Sequence, residues 1–102
     1  KAAEQFAQSL ERCWPKIARY GYHKPSIVIQ RMEKRWGSLS ENGTLTLNVE
    51  LVKASKECID YVMIHELCHL KHHDHSADFY RLLAALLPDW HHLKQKLELR
   101  LA

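Results

Sequence analysis

An α+β domain is the fold class this sequence predicts: an N-terminal helix, a small mostly antiparallel sheet of about three strands, a helix carrying a histidine cluster, and two C-terminal helices. Three observations carry that reading. Apolar residues recur at helical spacing before residue 20 and again after residue 56. Between these stretches lie a β-branched run and an alternating segment on either side of an Asn-Gly pair. The 102 residues are 46% hydrophobic and 26% charged, with Gly 3 and Pro 3, a balance that excludes disordered, coiled-coil, collagen-like and linker-rich chains.

Each element has its own grounds. Residues 2–20 place Phe6, Leu10, Cys13, Trp14, Ile17 and Ala18 at steps of three and four. Pro15 predicts a kink or break near Trp14, and Gly21 is the expected C-terminal stop. Ile27, Val28 and Ile29 form a strand. Residues 36–40 and 44–48 flank Glu41-Asn42-Gly43 as a hairpin, with Leu45 and Leu47 on one face. Residues 56–72 then read as an amphipathic helix with Ile59, Val62, Met63, Leu67 and Leu70 on its apolar stripe. Ser76 is placed to cap a further helix that buries Phe79, Leu82, Leu83, Leu86 and Leu87 and stops at Pro88. Trp90 to Leu101 makes the last helix, with Leu93, Leu97 and Leu101 at steps of four.

Charge and cysteine usage bound the function. The net charge of +3 is too small to imply nucleic acid on its own. Cys13, Cys58 and Cys68 are odd in number and contain no CxxC pair, so a reducing cytoplasm is expected in place of a disulfide framework. No apolar run approaches the roughly 18 residues of a membrane span, and nothing reads as a signal peptide. The chain starts at Lys1 without Met, which suggests a piece of a longer protein.

Histidine is the unusual component: the chain has His 8, and five of them, His65, His69, His72, His73 and His75, fall within one short segment. His65-Glu66-Leu67-Cys68-His69 places two imidazoles one helical turn apart on a common face. Such a pair can hold one metal ion, with Glu66 beside it to accept a proton from water. A catalytic zinc needs a third protein ligand and an open position. His72, His73, His75, Asp74 and Asp78 are the candidates. His72 would extend a straight helical row and could not converge on the same ion. His75 can return over the site if the chain turns before Ser76, so it is the favoured ligand, with Asp78 next. His72 and His73 are expected to be solvated, and His91 and His92 to lie at the surface. Cys68 is expected to be buried and inert, and Asp60 or Asp74 is a candidate to orient an imidazole.

A second cluster, Arg31-Met-Glu-Lys34-Arg35-Trp36-Gly37-Ser38, joins three cations and an aromatic at the hairpin entry. An edge strand there could pair with an extended peptide, making Arg35 and Trp36 candidate substrate-binding residues. Arg31, Lys34 and Arg35 could instead hold phosphates.

Taken together, Lys34-Arg-Trp-Gly-Ser38, Thr44-Leu-Thr-Leu-Asn48, Ile59-Asp-Tyr-Val62, His65-Glu-Leu-Cys-His-Leu70, His75-Ser76, Phe79 and Pro88-Asp89 closely resemble the YgjP-like metallohydrolase family, related to SprT-like and minimal gluzincin-type zinc peptidases. The resemblance covers roughly residues 25–100. It implies a zincin-like catalytic domain over 1–102, zinc on His65, His69 and His75, and catalysis by Glu66. Where the family usually reads Arg-Trp-Gly-Ser-Cys, this chain has Leu39. Family members are generally longer, with an N-terminal β-rich portion, which supports an isolated catalytic domain. Because some members are described as metallopeptidases and others as UTP pyrophosphatases, three functions stay open. They are a zinc metallopeptidase acting as a monomer on a peptide or protein, a nucleoside triphosphate pyrophosphatase at the same zinc, and a zinc-stabilised non-catalytic or nucleic-acid-associated domain. The missing Gly-rich phosphate loop and Mg²⁺ carboxylate cluster count against the second. The open three-ligand site counts against the third.

Overall fold

Helix, sheet and helix follow one another in the order expected. In the computed structural model, which describes residues 1–101 and side chains as far as Leu99, helix α1 spans Ala2–Cys13 and a short α2 spans Pro15–Ala18. The break falls at Trp14, where Pro15 begins the second helix at a position that needs no amide hydrogen. Gly21 takes φ +85° and turns the chain toward the sheet.

Strands β1 (Ser26–Gln30), β2 (Gly37–Leu39) and β3 (Thr44–Asn48) form a sheet of order β1-β3-β2. The sheet is mixed rather than mostly antiparallel: β1 pairs with β3 in parallel from Ser26↔Thr44 to Gln30↔Asn48, while β2 pairs with β3 antiparallel from Gly37↔Leu47 to Leu39↔Leu45. Strand spacing carries no information on this point. The crossing is held by Asn48, whose Nδ2 donates to the Met32 and Arg35 carbonyls, each at 2.9 Å. Its own amide donates to the Trp36 carbonyl at 2.9 Å. Asn48 is 3% exposed, so this buried amide is fully engaged. At the hairpin, Gly43 adopts φ +90° and donates to the Ser40 carbonyl. Leu45 and Leu47 both face the core as their alternation requires. The arrangement leaves β2 as an edge strand.

A short 3₁₀ turn, Val49–Lys53, leads to α3 (Lys56–Cys68), capped by Ser55 through the Cys58 amide. Helix α3 departs from its expected character. It was predicted as amphipathic to residue 72, but it ends at Cys68 and is buried nearly all round, including Ile59, Tyr61, Val62, Met63, Ile64, Glu66 and Leu67. It is the central helix, packed by α1, the sheet, α4 (Ala77–Leu86) and α5 (Trp90–Leu101). Even its polar residues are used. Asp60 accepts from Ser9 Oγ at 2.6 Å and from Arg12 at 2.8 and 3.1 Å, tying α3 to α1.

Ser76 caps α4 by accepting the Phe79 amide, as its position predicts. Phe79, Leu82 and Leu83 are buried, whereas Leu86 and Leu87 are only half-buried where the helix runs out before Pro88. In α5, Leu93 and Leu97 are buried, and the Leu101 side chain, expected on the same face, lies outside the described residues.

Candidate metal centre

His65 and His69 lie on the face of α3 that looks toward β2 and α5. The helix stops one residue before His69, whose amide caps it on the Glu66 and Leu67 carbonyls. The His72 amide donates back to the Cys68 carbonyl at 3.0 Å, and the chain then reverses into Ser76. That reversal carries His75 over the helix face. One nitrogen from each of His65, His69 and His75 lies within 4.8 Å of the others. Tetrahedral ligands about 2.1 Å from one ion stand about 3.4 Å apart, so small side-chain rotations suffice, and three imidazoles are a donor set zinc accepts.

The surroundings prepare these rings. His69 Nδ1 donates to the His72 carbonyl at 3.0 Å and His65 Nδ1 to Glu66 Oε2 at 3.1 Å, leaving each Nε2 lone pair free. His75 is exposed at the cleft mouth, and partial desolvation, then the neighbouring His69 and His65, push its pKa below the ordinary value and favour the neutral ring a metal requires. Phe79 touches all three imidazoles, with ring centroids 5.1, 4.5 and 4.9 Å from those of His65, His69 and His75. Its helical spacing marks Phe79 as core and gives no sign of this second contact.

A cleft of about 360 Å³ opens onto the cluster. The segment Arg35–Leu39 lines it, with Tyr61, Val62, His65 and Glu66 of α3, the cap residue His69, and Lys94, Leu97 and Glu98 of α5. Gly37 of β2 sits directly against the carboxylate residue: a Cβ added there would lie 3.2 Å from Glu66 Cγ, 3.2 Å from Leu47 Cδ2 and 3.3 Å from Val62 Cγ1. The Trp36 indole N–H is sealed at the cleft wall with no acceptor among the described residues. Burial, with the nearby Tyr80, Glu98 and Glu66, pushes the Tyr61 phenol up to about 12, so it remains a hydrogen-bond donor.

Other expectations resolve individually. His73, His91 and His92 are exposed, while His72 is half-buried and contributes its backbone carbonyl. Asp78 is exposed and pairs with Arg81, outside the imidazole cluster. Neither carboxylate considered for orienting an imidazole does so. Asp60 is committed to Ser9 and Arg12, and Asp74 makes no hydrogen bond among the described residues. The acceptor for His69 is instead the His72 main-chain carbonyl, which residue types cannot reveal, and for His65 it is the adjacent Glu66 carboxylate. Cys13, Cys58 and Cys68 are buried free thiols, and burial pushes Cys68 up to about 12. Arg35 and Trp36 reach the cleft, whereas Arg31 and Lys34 do not line it. Tyr61, quoted above only within a family motif, also lines the cleft, as do Lys94 and Glu98, which the sequence does not single out because α5 approaches the cleft only in the folded chain.

In this α+β fold three imidazoles gather at the end of the central helix, over an open cleft. Two solved structures share the fold. The metallopeptidase zymogen abylysin of Pyrococcus abyssi superposes with a TM-score of 0.82 at 22% identity, covering 93% of this chain and 93% of its own. The metallopeptidase zymogen jannalysin of Methanocaldococcus jannaschii does so with a TM-score of 0.82 at 21% identity, covering 96% and 91%. A comparison with curated protein sequences found no match. The family model described as YgjP-like, metallopeptidase domain matches residues 1–100, and the chain belongs to that family.

Proposed function

We propose that this chain is a zinc-dependent metallopeptidase in which His65, His69 and His75 hold the ion and Glu66 is the general base. The observation that carries the reading is the approach of three imidazole nitrogens to within 4.8 Å of one another, in a cleft that Glu66 also lines. When bound, zinc lowers the pKa of water and polarises the scissile carbonyl. Glu66 takes the proton of the attacking water and delivers it to the leaving amine. The unpaired edge of β2 offers backbone groups to an extended peptide, and Arg35 and Trp36 contact that substrate. The family's metallopeptidase description supports a peptide over a nucleotide. Three buried free thiols support action in a reducing compartment such as the cytoplasm, and we read residues 1–102 as one catalytic domain acting as a monomer.

The test is Glu66→Gln, assayed after zinc reconstitution against a peptide library and against UTP. Zinc content is expected to match wild type while peptide turnover falls by a factor of about 10² or more. Retained turnover removes Glu66 from its role, and wild-type turnover of UTP without peptide cleavage replaces the substrate class.

A further inference from the structure

Several hydrogen-bond donors line the cleft. Arg35 enters it just before β2 and Lys94 from α5, so two cations share the same space. The Ser38 and Tyr61 side chains line it as well. Against these donors stand two carboxylates. Glu66 is assigned to proton transfer, and Glu98 already pairs with Lys94 at 3.1 Å. Arg35 has no carboxylate partner among the described residues. Its main chain is nevertheless fixed, because buried Asn48 donates to the Arg35 carbonyl at 2.9 Å. A guanidinium offers five donors in a planar fork that suits a carboxylate. A cleft with an unpaired guanidinium suits an anion, and a peptide supplies one as a carboxylate.

The geometry points to a carboxylate subsite between Arg35 and Lys94, so that preferred substrates carry an acidic side chain, or their own C-terminal carboxylate, beside the scissile bond. This inference rests on the peptidase reading and deepens it. Arg35 is the principal contact, and Lys94 joins by exchanging Glu98 for the substrate.

The experiment uses peptides identical except for Asp, Asn or Lys next to the cleavage position, each with a free or an amidated C-terminus. Binding to the zinc-reconstituted chain is followed by calorimetry and cleavage by chromatography. A charge-assisted hydrogen bond predicts that Asp peptides bind and react about tenfold or more better than their Asn counterparts. The Asp-to-Asn ratio falls toward one in Arg35→Ala, falls partly in Lys94→Ala, and rises in Glu98→Gln, where Lys94 loses its competitor. If the advantage follows the free C-terminus instead of the Asp side chain, the terminal carboxylate is the occupant. A ratio within twofold of one in wild type, or a ratio unchanged in both cation variants, overturns the subsite. UTP displacing the Asp peptide more tightly than that peptide binds overturns it in favour of phosphate. Selective binding without cleavage leaves the subsite standing and refutes the peptidase reading.

Discussion

Gly37→Ala probes the closest approach in the candidate site. Gly37 has no left-handed backbone requirement, so alanine is sterically compatible with the chain itself and any effect comes from the new Cβ. That atom would meet Glu66 Cγ at 3.2 Å, Leu47 Cδ2 at 3.2 Å and Val62 Cγ1 at 3.3 Å. Comfortable carbon contacts begin at about 3.5 Å, so each neighbour must retreat by a few tenths of an ångström. Leu47 is 0% exposed and Val62 3% exposed, both locked in the core, which leaves Glu66 as the group with somewhere to go. Overpacking of this kind costs about 1–3 kcal/mol of stability. A misplacement of about 1 Å in a catalytic group costs about 10²-fold in rate, so a shift of a few tenths predicts a loss approaching tenfold in kcat. Thermal melts, bound zinc and peptide turnover would be measured together, with Gly43→Ala as comparison. Gly43 sits at φ +90° with open space around it, so alanine there strains the turn without touching the site. The expected result is that both variants melt lower, while turnover per zinc falls only in Gly37→Ala. Equal kcat in Gly37→Ala and wild type would refute the claim that the β2 edge sets the position of Glu66.

His75→Ala should lose zinc affinity by more than the roughly 10–100-fold that removal of an outer hydrogen-bond partner costs, and unchanged stoichiometry and affinity in a chelator titration would refute the third-ligand assignment. Asp60→Ala should destabilise the fold by about 1–3 kcal/mol in urea titration, because it strands buried Ser9 and releases Arg12, yet leave zinc binding intact; coincident loss of zinc would show that Asp60 serves the site after all. Cys13 and Cys68 have pKa values raised from 9.0 to about 12, mainly by burial, so the unfolded chain deprotonates first. Stability is therefore full below pH 9.0 and falls as pH rises toward 12, at about 1 kcal/mol per pH unit per thiol, and a flat urea midpoint across that range would contradict their burial.

How far the sequence could be read depends on the range of the interactions involved. Ser76 as a cap, the break at Pro15, the turn at Gly43 and the pairing of His65 with His69 are all set by residues within a few positions of one another, and local rules suffice for them. The burial of α3 on all sides could not be read from its own periodicity, because Cys58, Ile64 and Cys68 fill the gaps in the stripe and their neighbours come from α1, α4 and α5. The parallel partner of β1 was hidden for a similar reason: the crossing is organised by one amide, Asn48, that reads as an ordinary strand end. In the candidate site, His65, Glu66, His69 and His75 were legible through spacing and through the need for a turn before Ser76. Lys94, Glu98 and the role of Gly37 were not, since each depends on an element more than twenty residues away reaching the cleft. Arg35 was visible as a charge, but its separation from Arg31 and Lys34 emerges only once the strand is placed.

The three imidazoles come from a single stretch, residues 65–75, whereas the cleft walls come from residues 35–39 and 94–98. Closing so short a loop around an ion costs little chain entropy. The imidazole half of the candidate site is therefore nearly self-contained in one helix and the turn that follows it. The walls come from separate elements, β2 and α5, that pack against that helix. On the proposed peptidase reading, substitutions at Arg35, Ser38, Lys94 or Glu98 would alter which substrates enter while the imidazole cluster stays as it is. In a chain of 102 residues, that separation allows one small scaffold to be retuned from its rim.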